Sequence, residues 1–182
     1  MLRPRFFTDQ ALSAGTSLTL EKEPSRHIAK ALRMRVDESL CLFDGSGSEA
    51  HAQITAIDKD RVSVTIQDTS EAPRESPLSS VLIIALSRGD RMDTIVQKAT
   101  ELGINAIWPM TSERTGVRID GERLAKKREH WQRIAISACE QCGRNRIPSI
   151  AAPTSYTEAL AAASASDGAT RLMLHPEGHT AV

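Results

Sequence analysis

The sequence predicts a two-part α/β chain, a small β-barrel followed by a parallel α/β domain. Three observations predict it. Residues up to about 75 carry short apolar runs of strand character around one short helical pattern. Thr69 to Pro77 (TSEAPRESP) is polar and holds two prolines, as a linker does. Beyond it, Ser80-Val-Leu-Ile-Ile-Ala-Leu86 is a continuous apolar run, the pattern of a strand buried on both faces.

The elements follow in order. Ser25 to Met34 places Ile28, Ala31 and Leu32 on one face of a short helix. Ser39 to Phe43 is a strand closed by the turn Asp44-Gly-Ser-Gly47. Ala50 to Ile57 and Arg61 to Ile66 alternate in part across Asp58-Lys-Asp60, which predicts a hairpin. In the second half, Met92, Ile95, Val96, Ala99 and Leu102 form a helical stripe that Gly103 can cap. Ile104 to Trp108 reads as a second buried strand, so strand, helix and strand make a parallel unit. Glu122 to Cys142 is a long helix and Ser155 to Ala163 a weaker one. Arg171 to His175 reads as a last strand.

Composition narrows the function. Hydrophobic residues make up 40% of the 182 and aromatics only 3%, so the core rests on aliphatic side chains. The 23 Lys+Arg balance the 23 Asp+Glu, which excludes a polyanion-coating protein and leaves room for a local basic face. No apolar run has membrane-spanning length, and MLRPRFFTDQ lacks the apolar core of a signal peptide. Three cysteines predict reduced thiols in a cytoplasm. No glycine-rich phosphate loop appears, which counts against an unrelated nucleotide-binding enzyme.

Cys139-Glu-Gln-Cys-Gly-Arg-Asn-Arg-Ile-Pro148 carries two cysteines three apart. Cys142 extends the helical stripe of Trp131, Ile134, Ala135 and Ala138, with Cys139 one position off it. Gly143 stands where a left-handed cap belongs. A structural zinc site wants four ligands, and Cys41 lies in the other half, so the pair is expected to close a helix face and hold no metal.

Arg144, Asn145 and Arg146 leave the helix end together. They are either solvated cations favoured by the helix dipole or a forked binding group. In Ser87-Arg-Gly-Asp-Arg-Met-Asp93, Ser87 or Asp90 can cap the next helix, while Arg88 and Arg91 stand at a strand end, where open α/β sheets bind ligands. From Arg114 to Arg146, nine Lys/Arg stand against four Asp/Glu. This excess, or the group Arg26, His27, Lys30, Arg33 and Arg35, can hold RNA phosphates or simply form solvated faces.

In chain order, HIAKALRM, LFDGSG, SRGDRMDTIVQKATELGI, WPMTSERT, CEQCGRNRIP and LHPEG resemble the bacterial 16S ribosomal RNA uracil-N3 methyltransferases. These form the RsmE family of the SPOUT (trefoil-knot) superfamily. The similarity runs from Arg3 to about Glu177. It implies a PUA-like RNA-binding β-barrel over residues 1–70, a linker over 71–78 and a SPOUT α/β-knot methyltransferase domain over 79–182. It also implies S-adenosylmethionine as cofactor, 16S ribosomal RNA of the small subunit as partner, a homodimer, a cytoplasmic site, no membrane and no metal. Family members continue into a GPEGG-type loop and an LR-ETA-type segment, and this chain stops at Val182 before either. The knot is therefore expected to lack its final segment. The alternative is a catalytically incompetent RNA-binding fragment.

Within that reaction, Arg144 is expected to face the charge that develops on the base, with Asn145 orienting the base edge. Glu140 or Glu101 would accept the proton. Leu174, His175 and Pro176 would form the surviving part of the cofactor pocket. Arg26, His27, Arg33 and Arg35 would grip RNA, with Arg88, Arg91, Lys98, Arg114 and Arg146 completing the surface. For the cysteine pair, elemental analysis of the purified chain should find no stoichiometric zinc. Changing Cys139 and Cys142 to Ser should leave RNA binding intact, and one zinc per chain would overturn the helix-face reading.

Overall fold

The computed structural model describes residues 3–71, 73–87, 89–112, 121–165 and 168–174. The first half is a five-stranded sheet of β1 (Arg5–Phe7), β2 (Ser17–Thr19), β3 (Ser39–Phe43), β4 (Ser48–Asp58) and β5 (Arg61–Glu71). Its order is β1-β3-β4-β5-β2, with β1 parallel to β3 and the other pairs antiparallel. Alternation decides which residues go inside. Leu40 and Leu42, Ala50, Ala52 and Ile54, and Val62, Val64 and Ile66 point to one face and are buried. The register sets Leu40 against Ala52, Ile54 against Val64 and Ala52 against Ile66, so small and large side chains interlock. The hairpin turns at Lys59, which has φ of 51°. β5 continues to Glu71, three residues into the segment Thr69 to Pro77 expected as linker.

The helix expected over Ser25 to Met34 differs. α1 covers Lys22–Arg26, and His27–Ala31 then winds as a π-helix. The Leu32 N–H donates to His27 O at 2.9 Å. The wider turn rotates the following residues off the expected face. Ile28 is fully buried, whereas Ala31 and Leu32 are exposed.

The second half holds β6 (Val81–Ala85), α2 (Arg91–Glu101), β7 (Ala106–Thr111), α3 (Gly121–Cys142), β8 (Ser149–Ile150), β9 (Thr154–Ser155) and α4 (Tyr156–Ser164). β7 pairs in parallel with β6 on one side and with β8 and β9 on the other. β8 and β9 escaped the sequence reading because two-residue strands have no period to detect. α2 and α3 cover the sheet through Met92, Val96, Ile107, Trp131, Ala135 and Ile150. Ser155 closes a capping box with Glu158 at the start of α4.

Several details depart from the expected pattern. β6 is half-buried rather than covered on both faces, because it is an edge strand among the described residues. Leu102 follows α2 and is 86% exposed, so the stripe ends at Ala99. Cys142 is exposed and Cys139 is fully buried, the reverse of the expected order, because packing partners run out at the last turn of α3. Residues 171–174 join no strand, and Leu172, Met173 and Leu174 are exposed.

α1 is tied to the sheet by one hydroxyl. Ser25 is fully buried; its Oγ donates to Leu20 O at 3.0 Å and accepts from the Val62 N–H at 3.2 Å. Ser25→Ala leaves two buried backbone groups without this partner. It should cost about 1–3 kcal/mol of unfolding free energy, measured by urea titration.

Candidate functional site

Gly143 ends α3 with φ of +87°, its N–H donating to Cys139 O at 2.9 Å. This left-handed turn is easy only for glycine, and it sends Arg144 to Ile147 back across the boundary between the two halves. Arg144 is 5% exposed. Its Nε and Nη2 donate to Glu75 Oε2 at 3.0 and 2.6 Å. Its Nη1 donates to Thr100 O and Ile104 O, both at 2.9 Å. The guanidinium thus satisfies carbonyls at the end of α2 and anchors the linker carboxylate, Glu75. This replaces the expectation that its fork faces a base.

Asn145 is fully buried. Its Oδ1 accepts a short hydrogen bond from Arg5 Nη2, and its Nδ2 donates to Glu49 Oε2 at 3.3 Å. It therefore orients neighbouring charges where a base edge was expected. Glu49 also receives Arg5 Nη1 at 2.7 Å and Arg74 Nη2 at 3.0 Å. The Arg5 guanidinium carbon lies 5.2 Å from the centre of the Phe43 ring. Burial acts to raise the Glu49 carboxyl, but the hydrogen bonds from Arg5, Arg74 and Asn145 outweigh it and hold its pKa at about 2.

Beside this network a cleft of about 320 Å³ opens between the first half and α3, with Phe6, Phe7, Glu21, His27, Arg133 and Glu140 among its lining residues. Glu140 Oε1 accepts the Phe7 N–H at 3.0 Å. Burial raises its pKa, and that hydrogen bond opposes the rise only in part. Of the three expected catalytic residues, Glu140 is the one with its carboxyl at an open cleft, and it can take up a proton more readily than an ordinary carboxylate. Burial also pushes the Cys139 thiol up to about 12.

The other expected residues are scattered. Arg26, His27, Arg33 and Arg35 lie exposed on and just after α1, where Lys22, Arg26, His27 and Lys30 line a shallow groove. Arg91 is exposed at the start of α2, and Lys98 pairs with Glu101 at 2.8 Å. Arg146 is exposed, and its backbone N–H donates to Glu75 Oε1. Leu174 is 97% exposed. Arg88, Arg114, His175 and Pro176 lie outside the described residues. Arg5, Glu49, Arg74 and Glu75 were missed. The sequence signal was slight: Arg74 and Glu75 stand in the charged segment TSEAPRESP, and Glu49 opens a strand face that continues with polar His51 and Gln53.

The family model described as an RNA methyltransferase domain matches residues 74–182, and that described as an RNA methyltransferase PUA domain matches residues 20–67. The ribosomal RNA small subunit methyltransferase E of Bacillus subtilis is 31% identical over 153 residues, 84% of this chain and 60% of that protein. The protein of the same name from Buchnera aphidicola subsp. Schizaphis graminum is 33% identical over 150 residues, 82% of this chain and 61% of its own. The chain therefore spans about three fifths of the length of these curated relatives. Among solved structures, a methyltransferase from Legionella pneumophila in complex with the bound cofactor SAM superposes with a TM-score of 0.91 at 38% identity. The match covers 97% of this chain and 72% of that one. The small subunit methyltransferase E from Neisseria gonorrhoeae, bound to S-adenosyl methionine, gives a TM-score of 0.89 at 42% identity over 96% and 71%.

The depressed Glu49 pKa makes the junction acid-sensitive. A carboxyl whose folded pKa lies below its unfolded value stabilises the fold above the unfolded pKa, and that contribution is lost as pH falls through the folded one. Wild-type stability should fall by about 3 kcal/mol between roughly pH 4.5 and pH 2 on this account. Glu49→Gln should flatten that part of the slope in urea titrations across pH.

Proposed function

The chain belongs to the RNA methyltransferase family, with a PUA-like half joined to an α/β methyltransferase half, and on that premise we propose that it methylates N3 of a uridine in 16S ribosomal RNA of the small subunit. S-adenosylmethionine is the methyl donor in this reading, which the cofactor bound to the two solved relatives supports. The parts we assign are residues 1–70 for RNA binding and residues 79–182 for transfer, in a cytoplasmic homodimer. The observation that carries the reading is the exposed basic face of α1 on the same chain as a parallel α/β half similar to SAM-bound enzymes. Among the described residues, no helix is long and apolar enough to cross a membrane.

When bound, the cofactor supplies an electrophilic methyl group. The chain's own tasks are to hold RNA, orient the base and take its N3 proton. Loss of that proton spreads negative charge over the two flanking carbonyl oxygens, which a fixed cation stabilises. We assign proton acceptance to Glu140, whose burial raises its pKa. Arg144 and Asn145 act by holding the loop from which Arg146 reaches solvent. Arg26, His27, Arg33 and Arg35 contact phosphates, with Arg91 and Lys98 on α2 of the α/β half.

We assign cofactor contacts to Leu174, His175 and Pro176. Leu174 is 97% exposed, and His175 and Pro176 lie outside the described residues, so no step is drawn through them. The second reading is an RNA-binding chain without transfer activity. Tritium transfer from labelled S-adenosylmethionine to 16S ribosomal RNA, measured beside RNA retention on filters, separates the two. Retention with transfer at uracil N3 supports the first, retention alone the second, and no retention defeats both. Arg26→Ala with Arg35→Ala should reduce the salt dependence of binding by about two in log–log slope, weakening all sequences alike.

A further inference from the structure

Each half has its own apolar core, and the groups that join them are mostly charged. Four segments far apart in sequence contribute. β1 brings Arg5 and β4 brings Glu49. The linker brings Arg74 and Glu75, and the loop after α3 brings Arg144 and Asn145. The side chains of Arg5, Glu49 and Arg144 are only 11, 7 and 6% exposed. A buried ion network is a poor way to add stability, since apolar side chains of similar volume often do as well. What it adds is direction: a guanidinium fork meets a carboxylate well over a narrow range of angles.

The loops close against one another too. A Cβ on Gly47, which has φ of +115°, would stand 3.0 Å from Arg146 Nη2, and one on Gly45 would stand 3.3 Å from Ile147 Cδ1. The turn between β3 and β4 therefore lies directly on the loop after α3.

We infer that Arg5, Glu49, Arg74, Glu75, Arg144 and Asn145 form a clamp that fixes the orientation of the RNA-binding sheet against the methyltransferase half. They are positioning residues: they set the pose in which a bound RNA meets the α/β half. The clamp stands on its own geometry, and only its effect on RNA rests on the proposed function.

Nitroxide labels at Ala14→Cys and Gln97→Cys, exposed positions on the two halves, test it in a Cys142→Ser background. With the clamp intact, electron–electron resonance should give one narrow distance distribution. Glu49→Ala should broaden it or add a second distance while the far-ultraviolet circular dichroism stays unchanged. If Glu49→Ala does not fold, Arg74→Ala carries the same test, because that side chain is 46% exposed. Affinity for 16S ribosomal RNA should fall about tenfold if the competent orientation drops to a tenth of the population. An unchanged narrow distance in a folded variant overturns the clamp. A broadened distance with unchanged affinity overturns the positioning role. If the intact clamp shows its narrow distance but the chain binds no 16S ribosomal RNA, the RNA-binding reading fails and the clamp stands.

Discussion

Glu49 is a carboxylate held out of water between Arg5, Arg74 and Asn145, and the placement of one half of this protein against the other depends on it. Burying a charge is costly unless it is paired and its lone pairs are filled. Here the three donors fill them, and each comes from a different segment. Losing any one leaves part of the buried carboxylate without its donor, so the arrangement favours a single geometry over near neighbours. Arg144 does the same on the other side of the junction, joining Glu75 to the carbonyls of Thr100 and Ile104.

The two apolar clusters do not provide this definition by themselves. One is built from Leu40, Ile54, Val62 and their neighbours, the other from Met92, Val96, Trp131 and theirs. Apolar contact is not directional, and two such units joined only by a polar linker would sample many relative poses. Directional hydrogen bonds across the junction remove that freedom. Glu140 adds a further tie by accepting the Phe7 N–H, and the same carboxyl faces the cleft between the halves. Anchoring and an open site therefore share one surface of α3.

In the proposed reading, this division suits an enzyme that acts on a folded RNA. Phosphate contacts fix register and orientation but carry no chemistry. RNA held on the basic face of α1 would present its base productively only if the α/β half stands at a fixed distance and angle from that face. Small errors in that placement lower rates steeply, because transfer needs the reacting atoms in line.

The sequence by itself determined most of the longer elements. Partial alternation marked β4 and β5 as strands of one hairpin, because a strand has only two faces. Glycine at 143 marked the end of α3, because a positive φ strains any other residue there. It also determined the family, through motifs quoted in chain order. Tertiary structure alone decided where those motifs lie and what they touch. Arg144 and Asn145 looked like a ligand-facing pair, and they are buried because Glu75 and Glu49 reach them from 69 and 96 residues away. The π-turn after α1 was equally hidden, because local propensity does not reveal that Ile28 alone must fill the core. Local pattern reports which face of an element is apolar. It cannot report which distant charge will lie opposite, since that depends on where the other elements pack.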